Sequence, residues 1–155
     1  MSNNDRNIYQ TARIAAGITQ ERAAEYLGVS VRSLAAYEAL ERVPADDVVV
    51  RMADVYGTQF LVYQHVRANV DAAKHLLPVI DLQSLPIAIL RLQKEVSDFL
   101  TLREEMVDIT CDGIIDAAEL PRWRVIEKEL DDISAAILSL KFAEEGEHGK
   151  AVNQG

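Results

Sequence analysis

Two stretches of this sequence bring together side chains whose types and spacing can do chemistry. The first, TQERAAEYLGVSVRSLAAYE from Thr19 to Glu38, holds two short helical segments joined at Gly28, with Arg32 just inside the second. A guanidinium in that position can fork onto two acceptors at once, as it does on guanine O6 and N7. The second stretch, Asp108 to Glu119, has the twelve-residue spacing of a calcium loop, with Asp108, Asp112, Asp116 and Glu119 at ligand positions 1, 5, 9 and 12 and Gly113 at position 6. Thr110 takes the place of the third-position acid. The preferred reading is therefore metal-free, a loop in which Asp112-Gly113 reverses the chain and Asp116 caps the next helix.

The remaining reactive residue types form no set. Cys111, the single cysteine, has no histidine near it in sequence and reads as a half-buried, inert thiol that can form no internal disulfide. His65, His75 and His148 lack metal-ligand spacing, and there is no phosphate-cradling glycine loop, zinc signature or nucleophile elbow. The expectation is a protein with no enzymatic activity and no cofactor. Across 155 residues, 16 Lys plus Arg face 25 Asp plus Glu, a net charge of -9 that argues against a general basic coat for polyanions. Any nucleic-acid contact must be local. The opening MSNNDRNIYQ lacks the regions of a signal peptide, and Asp81, Arg91 and Lys94 interrupt the richest apolar stretch below the roughly 18 residues of a membrane span. A soluble, cytoplasmic protein is expected, with no membrane partner.

The elements that must position these residues read as helices throughout. Seven glycines and four prolines are too few for a sandwich or barrel, and alternating apolar-polar runs are nearly absent. A first helix spans Ile8 to Ala16 and stops at Gly17; a second runs from Gln20 to Leu27. Ser30 caps a third with Leu34 and Tyr37 inward, and Pro44 opens a fourth with the stripe Val49, Met52, Ala53 and Tyr56. A fifth starts at Thr58 and continues through Val70 until Pro78 ends it. Beyond a linker at 77–86, Leu85, Ile89, Leu92, Val96, Phe99 and Met106 follow a heptad rhythm in a helix of about 23 residues. Trp123, Ile126, Leu130, Ile133, Ile137 and Leu140 repeat it from a helix beginning near Asp116, which predicts an antiparallel hairpin over 87–143. Residues 144–155 have almost nothing to bury and are expected to be disordered.

The segment Thr19–Glu38, with small Ala24 where the helices must approach closely, resembles the Cro/repressor-type (XRE) helix-turn-helix family. The likeness extends from about Ile8 to Val66. It rests on Arg13, Thr19-Gln20, Ala24, the turn Gly28-Val29-Ser30, Leu34, Tyr37 with Glu38, and Arg42 before Pro44. The resemblance implies an all-α chain whose five-helix, lambda-repressor-like domain occupies residues 1–76 and sets a reading helix, about 30–39, in the major groove of double-stranded DNA. It assigns base contacts to Val31, Arg32, Ser33 and Ala36, and phosphate contacts to Gln20, Arg22, Ser30 and Arg42. Arg13 and Glu38 become a structural ion pair beneath the reading head.

Three departures bear on this. Arg22 replaces the usual capping-box glutamate, Leu40 stands where the family often has glycine and is expected to lengthen helix 3, and residues 1–66 carry six arginines against eight acids, net -2. Weak non-specific affinity and reliance on a homodimer follow. The expected function is a sequence-specific transcriptional regulator, with the acidic hairpin dimerising or receiving a protein partner. The alternative is an adaptor that uses the same scaffold for protein contacts.

Overall fold

The computed structural model describes residues 7–151, with side chains through Ala143. Among them are nine helices and no strand: α1 Ile8–Ala15, α2 Gln20–Leu27, α3 Val31–Glu38, α4 Asp46–Tyr56, α5 Phe60–Asn69, α6 Asp71–Leu76, α7 Leu85–Thr101, α8 Arg103–Thr110 and α9 Leu120–Ala151. The chain divides between Leu77 and Pro78 into two compact units, the second closing at Ala143.

In the first unit α2 packs on α3 and α4, while α1 packs on α3, α4 and α5. The apolar stripes meet at Leu34, Val49, Met52 and Leu61, which are fully withdrawn from solvent. Ala24 is buried where α2 must admit its neighbours closely. Polar ties close the bundle. Asn7 caps α1 through Oδ1, which accepts from the Tyr9 and Gln10 amides at 2.8 and 3.2 Å, and its Nδ2 donates to Tyr37 O at 2.7 Å. The buried His65 ring joins three helices, with Nδ1 2.8 Å from the Tyr9 hydroxyl and Nε2 3.1 Å from Asp46 Oδ1. Because a carboxylate only accepts, the proton belongs on Nε2 and the Tyr9 hydroxyl donates to Nδ1.

Two helix ends decide where α3 lies. At Gly28, φ +66, the Val29 amide donates to Ala24 O and the Gly28 amide to Glu25 O, a paired closure that turns the chain sharply into α3. The end of α3 repeats that closure, with Glu41 N–H on Ala36 O at 3.0 Å and Leu40 N–H on Tyr37 O at 3.2 Å, but the left-handed residue is Leu40 at φ 58. The expected lengthening of α3 is therefore overturned. The Ala35, Ala36 and Tyr37 carbonyls are all taken, and the Arg42 guanidinium lies 5.9 Å over the Tyr37 ring, which together outweigh a steric cost of about 1–2 kcal/mol.

The expected single helix from Thr58 to Pro78 is also two. The chain becomes extended at Val70, where Asn69 Nδ2 turns back onto His65 O at 2.9 Å, and α6 follows. Pro44 lies just outside α4, which begins after Ala45.

In the second unit the expected 23-residue helix breaks at Leu102. There the Thr101 hydroxyl donates to Asp98 O and the Leu102 amide to Phe99 O, tightening one turn before α8 resumes. Contacts to α9 run in opposite sequence order. The carboxylates of Glu95, Glu129 and Asp132 lie within 4.8 Å of one another, whereas Arg122 reaches back to Glu105 at 2.6 Å and Asp108 at 3.4 Å. Helix α9 is thus antiparallel to α7 and α8.

The seam between them differs from the sequence expectation by one row on each helix. Leu85, Leu92, Phe99 and Met106 are at least half-buried as expected, but their companions are Ala88, Glu95, Leu102 and Ile109 in place of Ile89 and Val96. On α9, Ile126, Ile133 and Leu140 are accompanied by Glu129, Ala136 and Ala143, while Leu130 and Ile137 remain exposed. Small and apolar residues at 88, 102, 109, 136 and 143 outnumber the two glutamates in that row, and Lys94 and Lys128 stand close enough to offset their charge.

The loop between α8 and α9 spends its carboxylates on its own backbone. Asp112 Oδ1 accepts from the Ile114 amide; Asp116 Oδ1 accepts from the Ala118 and Glu119 amides; Glu119 Oε2 accepts from the Asp116 amide. The last two form a reciprocal capping box one turn before α9. Cys111 is exposed, not half-buried as expected, because the loop presents it to solvent. The tail expected to be disordered from residue 144 continues α9 as far as Ala151, since adding turns to an existing helix is cheap; residues 152–155 lie outside the described residues.

Leu40 supplies a prediction. Its side chain is 61% exposed, so Leu40→Gly sacrifices little burial while relieving the left-handed backbone. The urea midpoint is expected to rise, corresponding to about 0.5–1 kcal/mol of added stability.

Candidate nucleic-acid interface

Helix α3 rests on a buried ion pair. Arg13 of α1 forks onto Glu38 at the end of α3, Nε to Oε1 at 2.5 Å and Nη2 to Oε2 at 2.9 Å, and its remaining Nη1 donates to Ile18 O at 2.8 Å. Both residues are nearly excluded from solvent. The Glu38 carboxylate, bonded directly and reinforcing by charge, holds the Arg13 guanidinium above its ordinary pKa despite burial. Gln20, the first residue of α2, adds its Nε2 to Glu38 Oε2 at 3.0 Å. One carboxylate thereby anchors α1, α2 and α3 together; the family resemblance implied the Arg13–Glu38 pair, but not the tie to Gln20. Below it the Tyr56 hydroxyl is buried without a hydrogen-bond partner, and burial first, then the Glu38 charge, pushes its pKa up to about 12.

The opposite side of α3 faces solvent. Ser30 caps it, accepting from the Ser33 amide at 3.0 Å and donating to the Ser33 hydroxyl at 2.9 Å. Val31 and Arg32 occupy the first turn and are exposed, and Arg32 makes no hydrogen bond or ion pair among the described residues. Ser33 and Ala36, expected beside them, are half-buried, being turned part-way toward the bundle.

The four residues expected at phosphates are not alike. Ser30 is exposed, with its hydroxyl committed to the cap. Arg42 is exposed and stacked on Tyr37. Gln20 is half-buried with its amide on Glu38, so what α2 presents outward is the backbone of its first turn, capped by Thr19 Oγ1 on the Arg22 amide at 3.3 Å. Arg22 is exposed but clasped, its Nε donating to the Tyr26 hydroxyl at 2.9 Å and its guanidinium 5.2 Å over the Tyr26 ring, with Glu25 at 3.9 Å. Tyr26 was not singled out from the sequence. Its i,i+4 spacing from Arg22 is the signal that marks it. The acids Glu21, Glu25 and Glu41 are exposed around the same face.

Residues 10–62 match the family model described as helix-turn-helix, whereas no curated protein and no solved structure matches the chain. Residues 10–62 are thus similar to the helix-turn-helix family of DNA-binding regulators, of the XRE type. Among the described residues no helix is long and apolar enough to cross a membrane.

Two predictions follow from the buried pair and its neighbour. Arg13→Met leaves the Glu38 charge buried with Gln20 alone and is expected to cost about 3–5 kcal/mol in urea unfolding. The double variant Arg13→Met/Glu38→Leu should recover much of that loss. The Tyr56 phenol, whose pKa is raised from 10 in the unfolded chain, contributes stability fully below pH 10 that is lost as pH rises through about 12. Tyr56→Phe should flatten the alkaline arm of the stability profile and cost little at neutral pH, because its hydroxyl has no partner to lose.

Proposed function

We propose that α3 enters the major groove of double-stranded DNA and that the protein is a sequence-specific transcriptional regulator of the cytoplasm, working as a homodimer. One observation carries the reading. Arg32 projects unpaired from the first turn of a helix whose other side is locked by the Arg13–Glu38 pair, so a free guanidinium is offered on a rigid support. Arg32 reads guanine, Val31 touches a thymine methyl, and Ser33 and Ala36 set the close approach behind them. Arg42, Ser30 and the first turn of α2 with Gln20 hold phosphates, and Arg22 joins them by leaving Tyr26.

The net charge of -2 over residues 1–66 supplies little counterion release, so one copy binds weakly and two half-sites about 34 Å apart are read together. The clasped Arg22 and the exposed Glu21, Glu25 and Glu41 are what favour the second reading, a protein-binding adaptor.

Genomic fragments captured by the full chain and titrated with salt separate the two. Arg32→Ala is expected to weaken specific binding about 10- to 100-fold with little change in salt slope, whereas Arg42→Ala should weaken all sequences alike and lower the slope by about 1. Specific binding indifferent to Arg32→Ala removes its reading role, and a failure to capture any fragment selects the adaptor.

A further inference from the structure

The hairpin buries one row on each helix and leaves another uncovered. Ile89 and Val96 on α7, and Leu130 and Ile137 on α9, are between 39% and 44% exposed, and Leu100 continues the α7 row at 58%. Each of these rows lies just beside the buried row of its own helix: Ile89 and Val96 follow Leu85 and Leu92 by four residues, as Leu130 and Ile137 follow Ile126 and Ile133. In an antiparallel pair such equivalent flanks fall on the same side of the seam. The register set by Glu95 against Glu129 and Asp132, and by Glu105 against Arg122, brings Ile89 level with Ile137 and Val96 level with Leu130. The other flank carries Arg91, Asp98, Glu105 and Asp132, half-buried, with the exposed Val125 and the buried Ser139 in the same row as Asp132. The hairpin therefore has one side along which exposed apolar rows of both helices lie together, while Ile87, Leu90, Val107 and Val125 are exposed elsewhere on it; such a two-helix apolar side is found in helices that pack in bundles of more than two.

We propose that this side, centred on Gln93 and Ser134, is the surface on which a second copy of the chain docks, completing a four-helix bundle. The inference deepens the homodimer reading above and rests on it.

Three features select a second copy as the occupant. The face is nearly free of acid in a unit, residues 78–143, that carries 13 acids against seven bases, so two like-charged hairpins meet where their repulsion is least. It is also self-complementary. A two-fold axis crossing the hairpin at the level of Ser134 sets Leu130 against Ile137 of the partner subunit, and the exposed Glu127 against Lys141 of the partner subunit. Ser134 on the axis is small and permits close approach.

The third feature is area. The five apolar side chains present on the order of 400 Å² per copy. A standard interface of about 800 Å² per partner, somewhat over half of it apolar, needs about 450–500 Å². The face supplies most of that.

Sedimentation equilibrium on the full chain at 1–100 μM tests this with Val96→Glu/Leu130→Glu and, as a control carrying a charge of the same sign on the outer face of α7, Ser97→Glu. Wild type and Ser97→Glu are expected to be dimers, and the double variant to dissociate at least 100-fold more readily while keeping its helical circular dichroism. Ile137→Glu alone, a single exposed substitution, should move in the same direction if the double variant unfolds. A dimer that neither variant weakens overturns this face and leaves the homodimer reading intact; a wild-type chain monomeric at 100 μM overturns both. Binding of Arg32→Ala to DNA is measured independently of either result.

Discussion

The Glu38 carboxylate is the point on which the first unit is assembled. It accepts two bonds from Arg13 and one from Gln20, so the end of α1, the start of α2 and the end of α3 are fixed to one group. A charge excluded from water is tolerated only when paired and fully hydrogen-bonded, which makes the relative placement of α1, α2 and α3 nearly obligatory once the pair forms. Arg32, on the far side of α3, inherits that rigidity. The helix is closed at its end by Leu40 in a conformation costly for leucine, and stitched to α1 by Asn7 on Tyr37 O.

Much of the first unit is readable in the sequence because its signals are local and agree with one another. Thr19 and Ser30 cap, Gly28 turns, and Leu34, Met52 and Tyr56 fall at helical spacing, so boundaries and inward faces follow from short-range chemistry. The break at Val70 and the short α3 escape such reasoning. Each depends on a side chain, Asn69 in one case and Asn7 with Arg42 in the other, taking up a carbonyl or a ring that sequence alone does not connect to it.

The second unit shows a different limit. Its seven-residue period is plain, but the phase is ambiguous, since Leu85 and Ile133 are each followed by an apolar residue at both three and four positions. Counting apolarity favours Val96 and Leu130, whereas packing selects the row containing Ala88, Ile109, Ala136 and Ala143, whose small or well-fitting side chains let the helices approach and carry Glu95 and Glu129 along. On α3, Val31 and Arg32 lie exposed in the first turn. The occupied states of Gln20 and Arg22 are visible only in three dimensions, because the carboxylate that holds Gln20 lies 18 residues away.

The hydroxyls at the mouth of α3 give its outer edge a polarity. Ser30 gives its proton to Ser33 and offers its lone pair to the Ser33 amide, so its hydrogen-bonding capacity is largely consumed within the chain. Ser33, having accepted, still has a proton to give, and beside it Arg32 has only donors. The leading turn therefore speaks in one chemical sense, asking for lone pairs and offering few. An opposing surface rich in N7 and carbonyl oxygens satisfies it, and one presenting amino groups at that spot does not.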